Sequence, residues 1–356
     1  MKNNRDAERI SRKQALSMLK KADLLDLGLM ADDIRKRFHP GGVVTFVVDR
    51  NINYTNVCIN KCRFCAFWRD EDAPDAYLLN KRTIFKKIRE TVKLGGTQIL
   101  IQGGLHPSLD LAYYTDLLAS IKKRFEINIH GFSPPEICYI ADSSGLTVKE
   151  TLRILREAGL DSIPGGGAEM LSDRVREILS PRKIISSRWI EVMESAHMAG
   201  MRTTATMMFG SIEAPEDIIT HLDAIRRLQD RTGGFTAFIP WPFQPGNTEL
   251  NRDPKFSIRN YVTAVEYLKV LALSRIYLDN FDNIQASWVT QGLKLAQVAL
   301  RFGANDFGST MIEENVVAST GVSHSVSKGE IIDAVRDAGF RPAQRDTGYK
   351  IIRKFR

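Results

Sequence analysis

Three stretches of this chain close in the same way: Lys93-Leu94-Gly95-Gly96, Glu157-Ala158-Gly159-Leu160 and Met198-Ala199-Gly200-Met201 each end a run of helical periodicity on glycine. A short run with strand character follows each of them: Gln98-Ile99-Leu100-Ile101, Ser162-Ile163 and Arg202 to Met207. Glycine just past the last turn supplies a left-handed C-cap. A helix that stops and hands over to a strand, again and again, is the pattern of parallel strands joined by crossover helices. The periodicity predicts helices over 81–94, 111–124, 148–158, 187–199 and 216–230, alternating with strands over 98–101, 127–129, 162–163, 202–207 and 235–239. Before them, the first 40 residues read as helical, with Ser11 and Gln14 as a capping box and a break at Gly28. The turn His39-Pro40-Gly41-Gly42 then leads to the β-branched run Val43 to Val48, with a short return strand at Ile52 to Tyr54. Stretches 283–288 and 305–310 suit the last strands, and 328–338 a final helix with an edge strand at 349–352. No GxGxxG fingerprint follows the first strand. The expected fold is therefore α/β, a TIM-type (β/α)8 barrel rather than a doubly wound sheet. It divides into an N-terminal helical segment (1–42), a barrel (43–310) and a C-terminal extension packed on the barrel (311–356).

At 356 residues, 43% hydrophobic and 26% charged, the chain is long enough for such a barrel, which takes about 250 residues. No window approaches the roughly 20 apolar residues of a membrane span, and the charged N-terminus has no apolar stretch behind it. No membrane partner and a cytoplasmic location are expected. The formal charge of +8 is spread along helical stretches such as 81–93 and 122–124, without a dense run or an RNA-binding motif. Solvated helix faces, not nucleic-acid binding, account for it.

Cys58, Cys62 and Cys65 stand in a C-x₃-C-x₂-C arrangement with Phe64 just before the last. A closed zinc site and a ferredoxin-type cluster both take four protein ligands. The remaining cysteine, Cys138, is far downstream. Three thiolates within eight positions suit a cluster whose fourth iron is left to an exogenous ligand; a zinc knuckle completed by a distant histidine is the alternative. On a barrel, this loop falls after the first strands, at the end where such folds keep their chemistry.

The later strand ends carry further candidates. Gln102-Gly103-Gly104 allows close approach of backbone to a ligand, or simply a tight turn. Pro164-Gly165-Gly166-Gly167-Ala168-Glu169 sets a carboxylate behind three glycines. In the stretch 238–248, Trp241 and Phe243 stand between prolines, so neither helix nor central strand is expected there. A substrate-stacking wall and a packed loop both fit that stretch. Gln285, Trp288 and Glu314 are candidate substrate contacts at the last strand ends.

The cysteine spacing with Phe64 resembles the signature of the radical S-adenosylmethionine (SAM) enzymes. The resemblance implies a 4Fe-4S cluster on Cys58, Cys62 and Cys65, with SAM held at Phe64, Phe67, Gln102, Gly103, Gly104, Glu169 and Arg188. The family's second strand often ends in GGE; here glutamine precedes the glycines and leucine follows. Arg188 also fits an ordinary helix surface. The combination of CINKCRFCAF, QGGLHP, PGGGAE, PWPFQPGNT, QASWVTQG and GANDFGSTMIEENVV resembles, more narrowly, the dehypoxanthine futalosine cyclases of menaquinone biosynthesis, from about Val44 to Arg356. Aminofutalosine synthase and one half of the deazaflavin-forming synthase are near relatives by the same motifs. The resemblance implies dehypoxanthine futalosine as substrate, hydrogen abstraction at ribose C4′, ring closure onto the benzoate, and a reductant such as flavodoxin or ferredoxin. His106 is a candidate proton acceptor, or a helix-entry histidine. A non-catalytic iron–sulfur electron carrier is the reading from another class.

Overall fold

The computed structural model describes residues 9–256 and 261–355; the part of the N-terminal segment before Arg9 lies outside them. Eleven strands are present among the described residues: β1 (Val43–Val47), β2 (Asn51–Asn53), β3 (Gln98–Gln102), β4 (Asn128–Gly131), β5 (Ser162–Ile163), β6 (Arg202–Phe209), β7 (Phe235–Pro242), β8 (Asn283–Ile284), β9 (Asp306–Ser309), β10 (Arg341–Arg345) and β11 (Ile351–Lys354). β2 to β8 form one sheet in sequence order, every pair parallel. β11, β10, β1 and β9 form a second sheet in that order, with only β10–β11 antiparallel. The sheets meet where Asn305 N–H donates to Ile284 O (3.0 Å) and Ala286 N–H to Asp306 O (2.9 Å). They meet again where the chain runs from β1 into β2 and the Val48 carbonyl accepts from Thr97 N–H (3.3 Å). This is the expected TIM-type arrangement, with its pairing divided between two sheets.

The helices pack their apolar stripes on the outside of the strands. In the helix Val148–Ala158, the buried residues Val148, Thr151, Leu152 and Leu155 recur at helical spacing, and Gly159 caps it at φ +119°. Gly95 (φ +83°) and Gly200 (φ +77°) take the same left-handed conformation after their helices, as the repeated punctuation required. Ser11 and Gln14 form the capping box of the first helix, Arg12–Lys21. The break comes at Ala22 and Asp23 rather than at Gly28, which lies inside the second helix, Leu24–Phe38. A Cβ there would stand 2.7 Å from the Phe302 ring, so this glycine serves close packing. No helix among the described residues is long and apolar enough to cross a membrane.

Two departures from expectation shape the interior. The prolines of 238–248 do not exclude a strand: β7 runs to Pro242 and pairs Pro240, Trp241 and Pro242 with β6. The reason is that β8 pairs only with Ala237 and Phe238, which leaves the proline end as a local edge. The C-terminal segment does more than pack on the barrel. β10 is hydrogen-bonded along β1, and Arg345 at its end turns inward to Asp306 of β9.

Candidate active site

Strands buried on both faces are ordinarily apolar throughout, yet the inward positions here alternate with polar residues. Asp49, Asn51 and Asn53 precede or lie on β2, Gln98 and Gln102 on β3, His130 on β4, and Thr204 and Thr206 on β6; all border one cavity of about 420 Å³. The three clustered cysteines border it too.

The cysteine loop is held from several sides. Cys58 N–H donates to Arg69 O (3.1 Å), Ile59 N–H to Leu105 O (3.1 Å) and Arg63 N–H to Leu179 O (2.9 Å), while the Arg63 carbonyl accepts from Leu250 N–H (2.8 Å). Lys61, between the first two cysteines, takes a left-handed backbone (φ +43°), a strained turn for a lysine. The turn brings all three thiols to the cavity. The glycines after β3 make room for the loop rather than a ligand's backbone contact alone. A Cβ on Gly104 would lie 2.1 Å from Val57 O, and one on Gly103 2.6 Å from the Tyr54 ring. Gly103 N–H donates to Glu136 (3.0 Å), whose buried carboxylate also takes Tyr54 Oη–H (2.8 Å) and Ser133 N–H (2.7 Å). Burial raises Glu136 above the usual carboxylate range despite these donors.

The donor set distinguishes between metals. All three cysteines are free, and burial pushes Cys62 up to about 12 and Cys65 upward as well. Such thiols lose their protons to a metal that binds them. A closed zinc site takes four protein ligands, whereas three thiols bordering one cavity suit a cluster with one thiolate on each of three irons.

Facing the loop, Glu169 stands at φ +40° with its carboxylate buried. Lys183 Nζ donates to Oε1 (3.1 Å), and Oε2 is a buried acceptor with no hydrogen-bond partner among the described residues, the Arg176 guanidinium standing 3.8 Å from it. Burial works against the charged Lys183, but Cys62 and Glu169 outweigh it and hold the ammonium above its ordinary range. Arg176 fixes the loop beneath by donating to the Gly167, Ala168 and Ile184 carbonyls. An orphaned carboxylate oxygen beside the thiols is where a ligand's N–H or O–H would complete the set.

The other sequence-predicted residues separate into two groups. Phe64, Phe67, Gln102, Gly103, Gly104, Trp241, Gln285 and Glu314 border the cavity with Glu169 and the cysteines. Glu314 does so with its carboxylate already taken by the N–H groups of Val316, Val317 and Ala318, capping the turn it begins. Phe243 and Trp288 are buried away from the cavity, Trp288 donating its indole N–H to Ser309 O (2.9 Å). Arg188 is on a helix surface, paired with Asp142 and Glu191. His106 is buried outside the cavity, its Nδ1 accepting from Ser108 N–H (3.2 Å), which makes it a turn residue as the helix-entry reading had it. Sequence reasoning missed Lys183, Glu136 and the strand-interior row Asp49, Asn51, Gln98 and His130. For the row, the signal was present: polar residues recurring on one face of strands otherwise expected to be apolar.

The chain belongs to the radical SAM superfamily. The superfamily's family model matches residues 52–225, and a second, described as the CofH/MqnC C-terminal region, matches 230–355. It is 47% identical over 351 residues to the cyclic dehypoxanthine futalosine synthase of Halalkalibacterium halodurans, covering 98% of this chain and 93% of that one. It is also 44% identical over 351 residues to the 5-amino-6-(D-ribitylamino)uracil–L-tyrosine 4-hydroxyphenyl transferase of Methanothermobacter thermautotrophicus, covering 97% and 95%. Among solved structures it resembles methylornithine synthase, with a TM-score of 0.72 at 18% identity over 95% of this chain and 96% of that one, a likeness of fold alone. The chain is thus a radical SAM enzyme, and the family implies a 4Fe-4S cluster and SAM.

Proposed function

We propose that this enzyme converts dehypoxanthine futalosine to its cyclic form in menaquinone biosynthesis, in the cytoplasm, with flavodoxin or ferredoxin as the electron donor. The observation that carries the reading is the near-full-length identity to a cyclic dehypoxanthine futalosine synthase, which spans both the cysteine loop and the cavity wall formed by the last third of the chain. When bound, the cluster and SAM supply one-electron cleavage and a 5′-deoxyadenosyl radical. Cys58, Cys62 and Cys65 would hold the cluster. Glu169 Oε2, which has no hydrogen-bond partner on a carboxylate bordering the same cavity as the cysteines, would accept a hydrogen bond from SAM, and Phe64 and Phe67 would wall its site. For the substrate, the proposed change is loss of hydrogen at ribose C4′, bond formation to the benzoate ring, and loss of one proton and one electron, the latter to a one-electron acceptor.

The remaining work is positional. Trp241 of β7 and Met311, Val316 and Val317 of the segment after β9 border the cavity and supply apolar surface that keeps water from a reactive carbon. Gly246 anchors this wall: a Cβ there would lie 2.0 Å from Thr320 O, so the loop after β7 is packed directly on the segment after β9.

The test is anaerobic turnover of dehypoxanthine futalosine deuterated at C4′. Deuterium in 5′-deoxyadenosine, with a product lighter by two hydrogens, supports the cyclase. A second reading has its own observation, the 44% identity to the archaeal transferase. Parallel incubation with 5-amino-6-(D-ribitylamino)uracil and tyrosine decides it: turnover there and none with the futalosine compound overturns the proposal, as does an adenosylated product.

A further inference from the structure

The cavity does not end at the cysteine loop. Strand register places Asn53 opposite Gln102, beside the glycines and the loop, and places Asn51 opposite Leu100, one layer further in. Leu100 is in turn opposite His130 of β4, so Asn51, Leu100 and His130 share that deeper layer. Below it, Asp49, Gln98 and Ser309 form another layer, and Arg345 and Thr347 lie beneath that, all bordering the same space.

Free hydrogen-bonding capacity concentrates in the middle. His130 is 8% exposed. Its Nδ1 is engaged with Ser162 Oγ (2.7 Å), and its Nε2 has no partner among the described residues. Burial first, then Arg345, lowers its pKa to about 3, so the ring is neutral and offers one further nitrogen. Asn51 receives a long contact at Oδ1 from Asn53 (3.4 Å), and no partner of its Nδ2 is present among the described residues. The Gln285 amide borders the same cavity, close against Gly308 and without a side-chain partner there.

Charge defines what these groups can receive. The layer below holds the carboxylate of Asp49, which accepts from Ser309 Oγ–H and Gln98, and beneath it Arg345 gives both forks to the carboxylate of Asp306. Two carboxylates against one guanidinium leave no cation for an anionic ligand. An apolar ring seated here would strand an imidazole nitrogen and two amides without partners, at a cost for each. Hydroxyl groups, which donate and accept, match this mixture of neutral donors and acceptors.

We propose that His130 and Asn51, one layer below the SAM end of the cavity, together with Gln285 on the same cavity, form a subsite for the hydroxyl groups of a sugar or polyol portion of the substrate. The assignment rests on the proposed function for its probe, dehypoxanthine futalosine, but not for its chemistry. The uracil compound in the name of the archaeal relatives carries a ribityl chain and serves as a second probe.

The experiment measures dissociation constants of dehypoxanthine futalosine and, separately, of SAM on the cluster-loaded enzyme by calorimetry under anaerobic conditions, for wild type, His130→Phe and Gln285→Ala. Expected is at least tenfold weaker substrate binding in each variant, with SAM affinity and iron content unchanged and partial recovery in His130→Gln. Substrate affinity unchanged in the folded variants overturns the subsite. Should His130→Phe fail to fold, Gln285→Ala carries the decision alone. Should wild type fail to bind the futalosine compound, the proposed function falls instead, and the same measurements with 5-amino-6-(D-ribitylamino)uracil decide the subsite. Binding of that compound that the variants weaken supports it, and binding they leave intact, or no binding of either compound, overturns it.

Discussion

Lys183 Nζ lies 3.1 Å from Glu169 Oε1 and 5.1 Å from the centre of the Phe64 ring, so one buried ammonium joins the glycine-rich loop after β5 to the cysteine loop after β2. Glu169 is its carboxylate partner, with Arg176 more distant at 3.8 Å on the other oxygen. Removing one member of a buried pair leaves the other uncompensated, at about 3 kcal/mol or more.

Glu169→Gln should therefore lower the urea midpoint while leaving iron content unchanged. SAM affinity should fall by about tenfold, the scale of one lost hydrogen bond to a charged group. Titration of SAM into the cluster-loaded variant checks this. Full affinity would confine Glu169 to a scaffolding role.

The cysteines separate cleanly. Alanine at Cys58, Cys62 or Cys65 should abolish cluster assembly, since the remaining cysteine, Cys138, is buried in the helix Pro134–Ser143 away from the cavity. Cys138→Ala should keep full iron content and lose about 1 kcal/mol of stability for the small cavity it leaves. Iron analysis of the four variants is sufficient, and a tolerated change at any of the first three would show the ligand assignment to be wrong.

How these features relate to the sequence differs by kind. Helix ends were legible because Gly95, Gly159 and Gly200 act locally, through a backbone conformation that other residues adopt at a cost. The cysteine loop was legible because its spacing is itself the chemistry. What stayed hidden depends on the third dimension. Arg341 to Arg345, read as part of an appended segment, becomes a strand beside β1 only because parallel pairing is available 298 positions earlier, at Val43. Trp288 and Trp241 look equally suited to a binding wall in sequence. The turn of the chain after β8 buries the first against Ser309, whereas the second stands at a strand end bordering the cavity. Lys183 carried no local mark at all, and its importance comes from the partners that folding brings to it.

Acid should loosen the fold through its buried histidines. Burial, reinforced by Arg345, Arg202 and Arg176 respectively, lowers His130 to about 3, His197 to about 4 and His221 to about 3. Their unfolded value is about 6.5, so the unfolded chain binds more protons below that pH. Their contribution is intact above about pH 6.5 and is lost as pH falls toward the folded values. Urea midpoints should decline between about pH 6.5 and 4.5. His221→Asn, which keeps an acceptor for the Leu171 N–H that now donates to Nδ1 (3.0 Å), should flatten part of that slope. An unchanged midpoint over this window would mean that these imidazoles are not held neutral.

At the floor of the barrel, β10 and β9 are joined through one buried ion pair. Arg345 Nε and Nη2 bind the two Asp306 oxygens at 2.6 and 3.0 Å, with Asp306 fully buried and Thr45 Oγ–H donating to the same carboxylate (2.5 Å). This fork ties β10 to β9 across β1, since β1 pairs with both. If the C-terminal segment merely rested on a complete barrel, Arg345→Met would cost little, because methionine fills much of the same volume. If it forms part of the barrel, the change leaves a buried carboxylate with hydrogen bonds but no counter-charge. The expected loss is about 3–5 kcal/mol. It should appear as one cooperative urea transition at lower midpoint, with the slope preserved. Two transitions, the first small, would instead show that 341–355 unfolds separately and that the barrel stands without it.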